Sequence, residues 1–587
     1  MSVPSSPRTD ATTLIAGVEP QLNIMKNRAS LADIITLMHL RQGYQVQHQY
    51  LDGVRNLQYL SPLHLWSGYG GTGVGGVTLR AITSVWKQSF GIDVTVEHDV
   101  IAERNGDKQR HLHHEIGPSV ITSSVKELVE PRVINCVQAD GSLKSTGSCH
   151  KSFLPSRCSV FDNGVPCTSR TSLNKNAADN INCVQKGTDA TGEGFKDVFD
   201  VGDAHWPEVV MIECSDKLAQ VDPKAGPTSV SDAVWVTDQY KSKGYWATHG
   251  LLQATDWGSY PSRYRYYAGA CLRPNGSTAE MDAYFWKVLN SFRMPSLPPE
   301  QYITLDDEER REESKYLGIP LHADLGEREP KRGKDDQEWR LEHKTYFDAM
   351  KMEWPPMIED CKSPALHVSY AGMLPREREV ANYLMRVFKI EYGVIHFADV
   401  NPKLSRILTS CLSPDLTEVK KTPWHSPPDT LVGSMRLVLL YQQDADSPLV
   451  MRLVEAFELF RMIGWSDENW RPVMVDADGN GECYRQTHEH LELLSNLCGN
   501  AFSIHHYAPW MMSLLATYGR FMCGSLGDLI FLEGNGGERK CVEPKPPCPD
   551  DVAPSSHSGR LGSSSSDCNV AMTDCRGSSN NSSNSSS

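Results

Sequence analysis

The segment SPLHLWSGYGGTGVGGVTLRAITSVWKQSF, residues 61–90, constrains this chain more than any other. Leu63 and Leu65 alternate as in a strand, and glycines 68, 70, 71, 73, 75 and 76 follow as a loop. Leu79, Ile82, Val85, Trp86 and Phe90 then recur on one helical face. A strand, a glycine loop and a helix make the opening βα unit of a nucleoside-type site. Glycine lets backbone approach a ligand closely and leaves the first amides of the helix free. The next run, GIDVTVEHD, reads as a strand that sets Glu97 about 20 residues past the last glycine, where an acid accepts hydrogen bonds from ribose hydroxyls. A dinucleotide and S-adenosylmethionine both remain open as ligands at this point.

The chain has 587 residues, long enough for two to four domains. No apolar run reaches the roughly 20 residues that span a bilayer. The N-terminus lacks a basic segment followed by an apolar stretch and a cleavage site, so secretion is not expected. Sixteen cysteines without CxxC pairs read as reduced thiols in an intracellular compartment. A net charge of −15 argues against a general nucleic-acid coat but permits a local basic groove. Residues 1–55 read as a polar extension with one amphipathic helix, LADIITLMHLRQ. Residues 56–272 alternate short apolar runs with helical patterns, as in a mostly parallel sheet. Charged helical stretches and proline-rich loops over 273–445 suggest an inserted second domain, apolar periodicity returns over 446–534, and 535–587 is a Ser/Asn-rich tail with too little apolar surface to fold.

Three further segments carry chemistry. CSVFDNGVPCTSR is an apolar run, a turn of Asp162, Asn163 and Gly164, then Pro166 and the thiol of Cys167. PEVVMIECSDKL is a strand from Val209 to Ile212 ending in Glu213, and SRYRYY carries Arg263 and Arg265. In a parallel sheet the carboxyl ends of neighbouring strands converge on one crevice, so a thiol, a carboxyl group and two guanidinium groups can meet beside the glycine loop. This order resembles that of the cytosine-5 DNA methyltransferases. Trp66-Ser67-Gly68-Tyr69-Gly70 is similar to their Phe-x-Gly-x-Gly loop, Pro166-Cys167 to their nucleophile loop, Glu213-Cys214-Ser215 to Glu-Asn-Val, and Arg263 and Arg265 to Arg-x-Arg. EAFELFRMIGW, with Glu458, Arg461 and Gly464, and Gly499-Asn500-Ala501 resemble two closing motifs.

The resemblance implies a Rossmann-like class I methyltransferase α/β sheet with helices on both faces and an inserted α+β target-recognition domain. It implies S-adenosylmethionine as cofactor, held by Trp66, Ser67, Gly68, Tyr69, Gly70, Gly71, Glu97, His98, Asn500 and Ala501, and no metal. Cys167 would add to ring carbon 6 of a flipped cytosine, Glu213 would hold a proton to N3, and Arg263 and Arg265 would hold the carbonyl oxygen. DNA is the substrate implied first and tRNA second, and nuclear localisation follows from the first. A catalytically degenerate regulator is the third reading, supported by Cys214 and Pro261 in place of Asn and Gln. Thr168 and His64 are further departures, and the acid for the adenine edge is expected within SVITSSVKEL. Two other signals read as structural: HLHHE, residues 111–115, as a polar loop, and DADGNGECYRQT, residues 476–487, as a turn without the last calcium ligand.

Overall fold

The computed structural model describes residues 30–522 apart from 72, 130–132, 138–142, 149–153, 155–156, 168–179, 222–228, 273–274, 298, 327, 329–335, 350, 352–365, 403, 413–419, 427, 429–430, 432–434, 466–486 and 501–502. Two helices open this part, α1 (Leu31–Arg41) and α2 (Tyr44–Arg55). Ser30 caps α1 in a capping box with Asp33. Strand β1 (Leu63–Gly68) and helix α3 (Val74–Phe90) follow, as the glycine segment predicts. Next come β2 (Val96–Ala102), α4 (Gly106–Glu115), β3 (Val120–Thr122) and a hairpin of β4 (Val133–Val137) with β5 (Leu143–Ser148). The main body continues with β6 (Val160–Gly164), α5 (Asp189–His205), β7 (Val209–Ser215), α6 (Asp232–Ser242), β8 (Tyr245–Gln253), β9 (Tyr264–Leu272) and α7 (Thr278–Ser291).

Seven strands form one sheet in the order β3-β2-β1-β6-β7-β9-β8. Only β9 opposes the rest, antiparallel to both β7 and β8. This is the expected α/β methyltransferase-type sheet. Apolar side chains alternate to its two faces. Val160, Val209, Met211 and Tyr267 join one core with α1, α2, α3 and α7, while Phe161, Val210, Ile212 and Tyr266 join another with Phe195 and Val198 of α5 and Val236 of α6. The strand order reverses direction at β1, which has β2 on one side and β6 on the other. A ligand crevice opens outside such a switch point.

The expected boundaries move. The described end of the N-terminal segment, residues 30–55, is packed and not extended: α1 and α2 bury Leu31, Ile34, Ile35, Met38, Tyr50 and Val54, and Trp86 Nε1 donates to Tyr50 Oη at 2.6 Å. Helix α7, beyond residue 272, packs against α2 and the closing helix and so belongs with the main sheet. A second sheet orders β10 (Leu366–Val368), β13 (Leu449–Leu453), β12 (Leu437–Tyr441) and β11 (His396–Asp399). It straddles the boundary expected at 445. Helices α8 (Asp307–Leu317), α9 (Pro375–Val387), α10 (Leu404–Cys411), α11 (Ala456–Met462), α12 (His488–Asn500) and α13 (Ile504–Met522) also belong to the described part, which lies within one compact unit, residues 1–528. HLHHE lies on α4, a helix and not a loop, and the expected tail falls outside the described residues.

Candidate active site

The loop after β1 turns through left-handed backbone at Tyr69 (φ 58°), Gly71 (φ 53°) and Gly73 (φ 74°), the last capping α3. Gly70 N–H donates to Ala102 O at 2.8 Å, tying the loop to the end of β2. A Cβ at Gly68 would collide with Asn163 Oδ1, and one at Gly75 with the Asp162 carboxylate. Close backbone packing therefore requires both glycines. Trp66 is fully buried with its ring 4.8 Å from that of His205, so its side chain is core and only its backbone faces the crevice end of the strand. Ser67 Oγ lies 3.0 Å from His98 Nε2. Burial, helped by Arg80, holds that imidazole down to about 3, so His98 is a neutral strut beneath α3 and not a crevice residue. Tyr69 Oη reaches across to Gly194 O and Asp197 Oδ2, each at 3.4 Å.

Glu97 is displaced from its expected role. Strand β2 begins at Val96, and Glu97 pairs in register with His64, near the amino ends of both strands. There it is exposed, with Oε2 3.7 Å from His64 Nδ1, which also stands 2.8 Å from Asp99 Oδ2. The carboxylate at the crevice end of β2 is Glu103, whose Oε2 accepts Gly71 N–H at 3.0 Å and whose Oε1 accepts Asn105 N–H at 2.8 Å. At the end of β3, Glu127 accepts Ser123 N–H at 3.0 Å, within the segment expected to carry the adenine-edge acid.

The residues of the reactive series lie on or next to strands β6, β7 and β9. Gly164 pairs with Glu213, and Val165 N–H donates to Glu213 O at 3.2 Å, which brings Cys167 to the end of β7. Glu213 faces Tyr267 across the antiparallel pair and Arg265 faces Ser215, so acid and guanidinium are diagonal neighbours on one face. Their Oε1···Nε distance is 2.9 Å, with both side chains largely buried. Burial raises the Glu213 pKa, against the pull of Arg265 and Arg263. The Cys167 thiol is also raised, first by burial and then by Glu213, while Arg265 and Arg263 favour the thiolate. Arg263 is buried and lowered to about 10, by burial first and by Arg265 next. Its Nη1 donates to Leu431 O at 3.4 Å and its backbone N–H to Gln253 Oε1 at 2.8 Å. Among the departures, Cys214 is fully buried and Thr168 lies outside the described residues. Asn500 ends α12, and Ala501 lies outside the described residues.

Besides Glu103, sequence reasoning missed a second acid. Asp162 is strand, not turn, and points to the face that carries Glu213. It is fully buried, takes a hydrogen bond from Tyr507 Oη and keeps Oδ1 without a partner. Burial and the charge of Glu213 raise it to about 7. An acid inside the apolar run VFDNG was the available signal.

No family model matches the chain, and no curated protein does. Among solved structures, the Dnmt2 methyltransferase of S. pombe aligns at 12% identity and a TM-score of 0.38, over 78% of this chain and 98% of its own. The methyltransferase EhMeth of Entamoeba histolytica aligns at 11% and 0.34, over 77% and 98%. A mutant DNMT2 of Spodoptera frugiperda aligns at 12% and 0.33, over 77% and 99%. The fold assignment stands on the strand order and directions described above.

Proposed function

We propose that this chain is a methyltransferase acting on carbon 5 of cytosine in nucleic acid, with DNA as its substrate and S-adenosylmethionine as its methyl donor. The observation that carries the reading is the gathering of Cys167, Glu213 and Arg265 at strand ends beside the glycine loop. Cytosine is too electron-poor to take a methyl group unaided. The Cys167 sulfur adds to carbon 6, and Glu213, whose pKa burial raises, hydrogen-bonds N3 and offsets the charge that develops. Arg265, and Arg263 behind it, orient the carbonyl oxygen and favour the thiolate. Once carbon 5 carries the methyl group, loss of its hydrogen as a proton with cleavage of the carbon 6–sulfur bond restores the ring and frees the thiol. The target base must leave its stack to reach a thiol set this deep.

The donor supplies an electrophilic methyl on a sulfonium. The glycine loop fits such a ligand, because the close packing at Gly68 and Gly75 leaves the backbone of the loop and the first amides of α3 to face it. Glu103 takes the ribose role expected of Glu97, and Glu127 the adenine edge. The region around the second sheet, joined to β9 by Ser262 N–H donating to Pro428 O at 2.9 Å, serves target recognition. A regulator without activity is the second reading, favoured by burial, which raises the Cys167 thiol, and by Cys214 in place of Asn.

The test is covalent trapping on DNA and on tRNA carrying 5-fluorocytosine, with S-adenosylmethionine present. A denaturation-resistant adduct with DNA, absent in Cys167→Ala and slowed about 100-fold or more in Glu213→Gln, is the expected result. An adduct only with tRNA moves the substrate to RNA, and none with either favours the regulator.

A further inference from the structure

Behind Cys167 stands a second thiol that the proposed reaction does not use. Cys214 follows Glu213 on β7, and strand alternation turns its side chain to the opposite face from the acid. There it is completely buried in the apolar cluster of Phe161, Val165 and Ile212, and Cys167 packs against that same cluster. Register brings the two together. Gly164 pairs with Glu213, so Val165 comes alongside Cys214, and Pro166 then turns the chain to place Cys167 over the end of β7. The Cys167 side is partly open, whereas Cys214 is sealed, and both are free thiols. Cys167 is the second largest influence on the Cys214 thiol after burial itself. An oxidant from solution can therefore reach one sulfur only, and the sulfur next to it is shielded from everything except its neighbour.

We propose that Cys167 and Cys214 form an oxidative modification site for hydroperoxides, in which Cys167 is the peroxidatic sulfur and Cys214 resolves it into a disulfide. The Cys167 thiolate attacks one peroxide oxygen, the O–O bond breaks, and the departing hydroxide takes up a proton as water, leaving a sulfenic acid. The Cys214 sulfur then attacks the Cys167 sulfur, the S–O bond breaks, and a second water leaves with the Cys214 proton. Two thiols give up two electrons and two protons, and hydrogen peroxide becomes two waters. Closure needs the short Pro166-Cys167 link to settle onto β7 until the Cα atoms come within about 7 Å. The bond would remove the free thiol at 167.

The test uses the full chain and hydrogen peroxide, and its readout is peptide mass, independent of methyl transfer. A peptide carrying Cys167 linked to one carrying Cys214, lighter by two hydrogens and separated by dithiothreitol, is the expected product. In Cys214→Ser, and in Cys214→Ala as a second variant, the link is absent and Cys167 passes on to the sulfinic acid, because nothing traps the sulfenic state. A Cys167 that reaches sulfinic acid in the unsubstituted protein without a link, or that links to Cys183 instead, overturns the proposal. Failure to trap fluorocytosine would leave this outcome untouched, so the two readings fail separately.

Discussion

Burial sets the chemistry of single side chains in this molecule more than their neighbours do. Asp162 is the sharpest case. Its sequence neighbours Asn163 and Gly164 are turn-formers, and the local composition reads as a turn, yet the pairing of β6 between β1 and β7 overrides it. The cost of enclosing the acid appears in its pKa, raised from 3.8 to about 7. An acid whose pKa is higher folded than unfolded binds a proton on folding. Its contribution is fully present below pH 4 and is lost as the pH rises toward 7. Asp162→Asn keeps an acceptor for Tyr507 and removes the titration. The unfolding free energy of that variant should match the parent near pH 4 and exceed it increasingly up to pH 7, the gap levelling off at no more than roughly 4 kcal/mol. A constant gap across that range would show that the carboxyl group is already neutralised by a partner. Cys167 and Glu213 could be singled out from sequence because each follows an apolar run, and Arg263 and Arg265 because they stand at the start of one. Asp162 was not, because nothing local distinguishes a buried acid from a turn acid.

At the level of strands and helices, the position of one strand's first residue decides which end its side chains serve. GIDVTVEHD was expected to be strand from its start, which would put Glu97 toward the ligand. The pairing begins instead at Val96, so the crevice end of β2 falls at Ala102 and the acid beside the loop is Glu103. Spacing from the glycines could not resolve this, since the extended segment before Val96 has strand-like composition without a partner strand. Glu103→Ala should weaken S-adenosylmethionine binding by about 10- to 100-fold, the loss of hydrogen bonds to a charged acceptor. Glu97→Ala should leave that affinity unchanged, and isothermal titration of both variants separates them. The reverse order would return the ribose to the amino end of β2. Helix α2 shows the same limit from another side: YQVQHQYLDGVR is polar overall, and only its contacts with α13 reveal that Tyr50, Leu51 and Val54 face a core.

Across the whole molecule, the second sheet is tied to α11 and α8 by a buried ionic group that composition alone conceals. Arg452 on β13 makes two 2.7 Å contacts with Glu458 of α11, and its Nη2 donates to Thr304 O at 2.9 Å. Arg461 reaches Glu313 of α8 at 3.0 Å. Glu458 is held ionised by Arg452 in spite of complete burial. Breaking one partner strands the other in a low dielectric, so Glu458→Gln should cost about 3–5 kcal/mol in urea unfolding. Replacing both, as Arg452→Met with Glu458→Leu, should recover much of it. Equal losses in the single and double variants would mean that the pair itself supplies net stability. Sequence reading recognised Glu458 and Arg461 as motif positions but assigned the region before them to a separate domain, because charged helices such as α8 look solvent-borne. Here Arg310 and Glu313 of that helix point inward.

The hold of Leu431 on the Arg263 guanidinium joins two distances that are usually independent, 168 positions along the chain and 3.4 Å in space. A backbone oxygen has no side chain to delete, so this contact answers to where the chain holds residue 431. Inserting or removing one residue beside it should therefore be felt at the guanidinium.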